Sequence, residues 1–217
     1  VRARIPFDPI VHITEETYFQ TLFNMLDTVF DQPIGNWNVW SVTDMTRLFE
    51  GASSFNHPIG NWNVASVTSM GDMFDKASAF NQPIGGWNVS LVTDMKDMFQ
   101  DALSFDQPIG NWNTNSLTTT EDMFKGAASF NQSIGTWNVS AVTSMKDMFL
   151  DASALSDGNK GKIHASFSAN AHWPYDWSPH APLYRTPTSR PRSTSGFRIR
   201  LRPLQPTVTS ATGTYRR

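Results

Sequence analysis

The sequence predicts an α/β repeat solenoid: five coils of about 25 residues, each a short parallel strand followed by a short helix, closed at the N-terminal side by a capping helix. Three observations carry this. One unit recurs at a fixed interval, with Phe at Phe30, Phe55, Phe80, Phe105 and Phe130 and Trp at Trp37, Trp62, Trp87, Trp112 and Trp137. A period of that length marks units that bury their apolar faces only by stacking on neighbours. Within each unit the apolar spacing changes from two to three and four. Pro and Gly recur at fixed points between those stretches.

The copy that begins at Phe55, FNHPIGNWNVASVTSMGDMFDKASA, shows how each element is assigned. Trp62 and Val64 are two apart, which puts both side chains on one face of a strand. Val67, Met70, Met73 and Phe74 are three and four apart, which suits one or two helical turns. Thr68 and Ser69 supply hydroxyls near the start of that helix, and Ala77 and Ser78 make a small-residue exit. Pro33, Pro58, Pro83 and Pro108 favour an extended or turn backbone. Gly35, Gly60, Gly85, Gly110 and Gly135 imply either a positive φ or coils too close for a Cβ.

One strand and one short helix per unit is a leucine-rich-repeat arrangement built from Ile, Trp and Val. Strands stacked about 4.8 Å apart would give a body about 20–25 Å long. Burying each large apolar side chain contributes about 1.5–3 kcal/mol, against the ordering of the chain. The fourth copy has Thr114 where the others have Val and Thr120 where the others have Met, and is the expected weak point.

The ends read differently. Residues 1–29 hold the N-terminal segment and a capping helix over 12–29, with Thr14 as N-cap, Glu15 and Glu16 in the first turn, and Tyr18, Leu22, Phe23, Leu26 and Phe30 on one face. The repeats occupy 30–154. Residues 155–177 leave the pattern and form a C-terminal cap in which Ile163, Phe167, Trp173 and Trp177 cover the last coil. Residues 178–217 are an Arg-, Pro-, Ser- and Thr-rich tail, read first as disordered. A basic arm for an acidic partner and an out-of-frame translation are the other readings.

Charge divides along the same line. All 19 acidic residues lie at or before Asp176 with 9 basic ones, a balance of −10, and eight Arg without one acid follow from Trp177. There are no cysteines, which excludes disulfides, thiol nucleophiles and Cys-based metal sites. No stretch has the length of a membrane span, and no signal-peptide pattern opens the residues from Val1.

The units W-N-V-S-x-V-T-x-M-x-x-M-F and F-N-Q-P-I-G, with the closing segments I-H-A-S-F-S-x-N and W-P-Y-D-W, resemble those of the BspA-like leucine-rich-repeat surface proteins of bacteria and of algal and other protist genomes. The resemblance covers about residues 12–177. It implies an extracellular or surface-attached protein used in adhesion or protein binding.

Catalytic constellations are absent from the sequence. His12, His57, His164, His172 and His180 are scattered, with no pair at metal-ligand spacing, and His57 stands where other copies have Gln. No phosphate-binding loop, nucleophile elbow or zinc-protease motif occurs. Asp94 and Asp97 are expected on a solvated helix face. An enzyme, a cofactor, a metal and a small-molecule substrate are therefore not expected.

The candidate binding face is the outward side of the strand column: Asn38, Asn63, Asn88, Asn113 and Asn138, with Ser41, Ser66, Ser90 and Ser140 nearby and Trp40 outside the Trp ladder as a hot-spot anchor. Asparagines stacked in this way can also hydrogen-bond along the column. The expected role is non-enzymatic recognition of a protein partner at a cell surface by a monomer. A glycan-binding module and a spacer without its own ligand are the alternatives, and nucleic acid is not expected. Thr43, Thr68, Thr93, Thr118 and Thr143 form a second column, suited to helix N-caps or to ordering water as in ice binding. Sequons at Asn88, Asn131 and Asn138 supply a discriminator, because glycans at Asn88 and Asn138 would block that face.

Overall fold

The computed structural model describes residues 30–180. The capping helix expected over 12–29, and the tail from residue 181 onward, lie outside the described residues.

Successive copies stack in parallel, offset by one repeat. Bridges pair Asp44 with Ser69, Ser69 with Asp94, Asp94 with Thr119 and Thr119 with Ser144. Around each bridge, alternate N–H groups donate to the next coil. Met70, Asp72, Phe74 and Lys76 reach the carbonyls of Asp94, Lys96, Met98 and Gln100 at 2.8–2.9 Å. The other alternate groups close turns within their own coil: Met73 on Met70, Asp75 on Asp72 and Ala77 on Phe74, at 3.0–3.2 Å.

This corrects the strand-plus-helix coil. Among the described residues the one α-helix is α1, Asp157–Phe167, and no repeat contains a helix or a continuous strand. A helix satisfies its N–H groups internally four residues back, whereas this ribbon of turns sends every second one to its neighbour. Left-handed residues break any helix twice per coil: Arg47 and Gly51, Asp72 and Lys76, Asp97 and Asp101, Asp122 and Gly126, Asp147 and Asp151 all have φ between 51° and 73°. Asp and Gly fill most of these positions because they tolerate that conformation best. The apolar spacing of three and four serves both geometries, since Val67, Met70, Met73 and Phe74 all point inward. Trp62–Val64 likewise lies between two turns, Trp62 N–H on Ile59 and Val67 N–H on Val64, each 3.0 Å.

The core is a set of columns. Phe55, Ile59, Trp62, Val64, Val67, Met70, Met73 and Phe74 are buried in the second copy, as are their counterparts in the third. Phe stacks twice over: the Phe74 ring centroid lies 4.0 Å from that of Phe80, which opens the following copy, and 5.5 Å from that of Phe99. Such aromatic pairs contribute about 0.5–1.5 kcal/mol beyond their buried area.

Polar columns lock the offset. The indole Nε1–H groups of Trp62, Trp87, Trp112 and Trp137 donate to Ile34, Ile59, Ile84 and Ile109 carbonyls at 3.1–3.3 Å. Asn56 Oδ1 accepts the Asn81 N–H and Gln82 Nε2, and Asn81 and Asp106 do the same one coil further on. His57 keeps this contact in its copy, with Nε2 2.9 Å from Asp31 Oδ1. The repeated glycines answer to close approach: a Cβ on Gly35, Gly60, Gly85 or Gly110 would overlap a backbone carbonyl oxygen of the next coil.

The fourth copy is better satisfied than its sequence suggests. Thr114 Oγ1 donates to the Asn138 carbonyl at 3.0 Å, and Thr120 Oγ1 to Met148 Sδ at 3.4 Å. Beyond the last coil, Ser156 caps α1 and Ile163 and Phe167 are buried. Asn159 takes the glutamine's place, its Nδ2 reaching Asn131 O and Oδ1 at 2.6 and 3.0 Å. Trp173, Tyr175 and Trp177 surround Phe149 at 5.4–6.3 Å, and Tyr175 Oη accepts the Phe149 N–H at 2.7 Å. Burial pushes the Tyr175 phenol up to about 12. No helix among the described residues is long and apolar enough to cross a membrane.

Candidate binding face

Every coil makes the same tight turn after its Trp. The N–H of Val42 closes on Val39, Val67 on Val64, Val92 on Val89, Leu117 on Thr114 and Val142 on Val139, at 2.9–3.1 Å. The closing residues are buried, so the two central residues project outward: Trp40 and Ser41, Ala65 and Ser66, Ser90 and Leu91, Asn115 and Ser116, Ser140 and Ala141. The scaffold is nearly identical in the five copies while these central pairs all differ. That is the pattern of a framework presenting exchangeable contacts.

Asn38, Asn63, Asn88, Asn113 and Asn138 flank the turns and are all exposed. They do not bond to one another along the column. Each Oδ1 accepts the N–H two residues on, in Trp40, Ala65, Ser90, Asn115 and Ser140, at 3.0–3.4 Å. These are Asx turns, which shape the loop and leave the amide end pointing outward; at Asn138 that amide donates to Asn115 Oδ1 of the preceding coil at 2.8 Å. The threonine column is also committed: Thr68, Thr93, Thr118 and Thr143 donate both N–H and Oγ1–H to the preceding threonine's carbonyl. Those bonds replace the helix N-cap role.

Trp40 is 58% exposed, whereas Trp62, Trp87 and Trp112 are 4% exposed. Leu91, in the neighbouring turn position two coils on, is 52% exposed. At the last coil, cap residues Ser166, Ala169, Asn170, Ala171 and His172 stand beside 137–143 and turn the face into an open groove of about 480 Å³. Asn170 Nδ2 closes the floor by donating to Val139 and Val142 carbonyls at 2.6 and 2.9 Å.

One property of this face escaped the motif reading. Residues 33–43, 58–68, 83–93, 108–118 and 133–143 contain no Asp, Glu, Lys, Arg or His. The charges of the repeats fall on the bridge-and-turn ribbon and beside the Asn–Gln column. Counting charge by repeat position would have found it. Asp97 is half-buried in this ribbon rather than on a solvated helix face. Among the sequons, Asn88 and Asn138 are exposed on this face, whereas Asn131 Oδ1 is engaged by Ser156 and Asn159.

No group of three or more His, Asp or Glu among the described residues is placed to hold a metal ion. His164 Nδ1 instead accepts the Trp173 Nε1–H at 3.1 Å.

The family described as "Mycoplasma protein of unknown function, DUF285" matches residues 17–127 and again 84–166, together spanning 17–166. No curated protein matches the chain. Among solved structures, a leucine rich repeat protein of T. pallidum is similar at 14% identity and a TM-score of 0.25, over 57% of this chain and 76% of that one.

Proposed function

The chain belongs to that DUF285 repeat family, and we propose that its coil stack, a leucine-rich-repeat-like solenoid, is a non-enzymatic recognition module that binds a protein partner through the charge-free turn face. The setting we infer is a cell surface or the extracellular space, as the resemblance to BspA-like proteins implies. The observation that carries the reading is Trp40: the one repeat tryptophan outside the buried ladder, more than half exposed, at a position the other coils fill with Ala65, Ser90, Asn115 and Ser140. A tryptophan held on a rigid turn gives contact area at little entropic cost, which is why such residues dominate interface energies. With no charge on the face, binding depends on shape, amide hydrogen bonds and apolar contact rather than on steering.

The test uses the full chain, immobilised and presented to arrayed surface proteins and arrayed glycans. A protein ligand is expected, with Trp40→Ala weakening it about 30-fold, the scale of a hot-spot truncation. Affinity is expected to hold within about twofold between about 0.05 and about 0.5 M salt, where an ionic interface would lose much of its strength. Binding that survives Trp40→Ala and collapses in salt overturns the proposal.

A neutral glycan is the second reading. It is favoured by one exposed asparagine per coil, a repeating array suited to a repeating ligand. Signals on the glycan array alone would select it. Silence on both arrays would select a spacer.

A further inference from the structure

Stacking sets each residue of a repeat over its own copy, so an ionised side chain meets its own charge one coil away. In the first left-handed position of the ribbon, Asp72, Asp97, Asp122 and Asp147 occupy four successive coils and Arg47 the coil before them. Aspartate is there for conformational reasons, because it tolerates positive φ. Asp122 is buried and the other three partly so. The column is held by single cations. Arg47 Nε lies 3.5 Å from Asp72 Oδ2, and Lys125 Nζ 3.0 Å from Asp122 Oδ1 in an ion-pair contact without hydrogen-bond angles. Lys146 Nζ is 4.0 Å from Asp147 Oδ2.

Asp97 is the least compensated member. Asp72 and Asp75 act on it from the coil before and Asp122 from the coil after. Lys96, its cation at 3.9 Å, is drawn more closely to Glu121 at 3.5 Å. The neighbouring cations Lys76 and Lys125 sit on Asp75 at 2.6 Å and on Asp122.

We propose that this aspartate column is a pH-responsive brace: ionised, it pushes adjacent coils apart, and a proton taken up at Asp97 in mild acid tightens the stack. Burial first, and then the flanking carboxylates, push the Asp97 carboxyl from 3.8 up to about 6. The folded chain therefore holds this proton more tightly than the unfolded chain. The penalty of ionised Asp97 is complete above about pH 6, shrinks as pH falls, and is gone below its unfolded value. This is opposite to the usual salt-bridged carboxylate, whose contribution is lost in acid.

The test is thermal melting of the full chain and of Asp97→Asn, which keeps the size and left-handed tolerance of the side chain without its charge. Histidines titrate in the same range, so the readout is the difference between the two proteins. At about pH 7.5 the variant is expected to melt roughly 2–4 °C higher; by about pH 4.5 the gap is expected to shrink to about a third, and it closes below the unfolded value of 3.8. A variant that melts no higher, or a difference that pH leaves unchanged, overturns the proposal. Carboxyl NMR of the unaltered chain is a second reading independent of any variant. An Asp97 midpoint near 6 supports the brace, and one in the ordinary carboxylate range overturns it.

Discussion

The Trp62 indole Nε1–H donates to the Ile34 carbonyl oxygen at 3.2 Å, across 28 residues and one coil boundary. The tryptophan is thus a cross-coil tie as well as core volume. It fills the interior with its ring and gives the Ile34 carbonyl a second donor beside the Trp37 N–H that closes the turn within that coil.

Trp87→Phe should separate these two roles, because the ring volume is largely kept while the Ile59 carbonyl loses its cross-coil donor and keeps only the Trp62 N–H. Losing one of the two bonds to that carbonyl costs about 0.5–1.5 kcal/mol, to be read as a lower urea midpoint with an unchanged slope. A midpoint equal to that of the unaltered chain would reduce the indole to filler.

Adjacent glycines give a paired prediction. A Cβ on Gly85 would overlap the Pro108 carbonyl oxygen, whereas one on Gly86 meets nothing within 4 Å. Gly85→Ala is expected to lose about 1–3 kcal/mol by overpacking. Gly86→Ala is expected to be neutral or to gain up to about 1 kcal/mol by restricting the unfolded chain. Equal effects in chemical denaturation would remove coil proximity as the reason for the glycine column.

Tyr175 ties the cap to the last coil, so Tyr175→Phe should strand the Phe149 N–H and cost about 1–3 kcal/mol. The phenol also gives an alkaline signature. With its pKa raised from 10 to about 12 by burial, the unfolded chain releases this proton first. Stability should therefore fall as pH climbs from 10 toward 12, and Tyr175→Phe should show less of that fall. Parallel pH profiles for the two proteins would count against it.

Thr114→Val restores the residue of the other copies but leaves the Asn138 carbonyl without the Thr114 hydroxyl. The gain in apolar burial and the loss of one bond should nearly cancel, within about 1 kcal/mol by differential calorimetry. A large stabilisation would mean that the fourth coil is the weak one its sequence suggests.

The sequence makes the stack legible and leaves the form of its coils open. Phe, Trp and Gly recurring every 25 residues fix which side chains lie over which, because stacking sets like on like. Met70, Met73 and Phe74 could not distinguish a helix from a turn ribbon, since both place residues three and four apart inside. Asp72, Asp97, Asp122 and Asp147 carried that information, as a residue type that accepts positive φ. The Asn column is exposed, but its bonding is not readable from sequence: an Asx turn within the coil and a ladder between coils need the same residue at the same spacing. Trp40 was found as an exception to a ladder, a signal that only a repeat provides.

The most direct test of recognition through the charge-free face is hydrogen exchange of the full chain with and without its strongest protein binder from the arrays. Amides within 36–43, 61–68 and 86–93, around Trp40 and Leu91, should gain protection, with the ribbon at 44–51 and 69–76 unchanged. Protection confined to the ribbon, or none within those turns, would contradict the account.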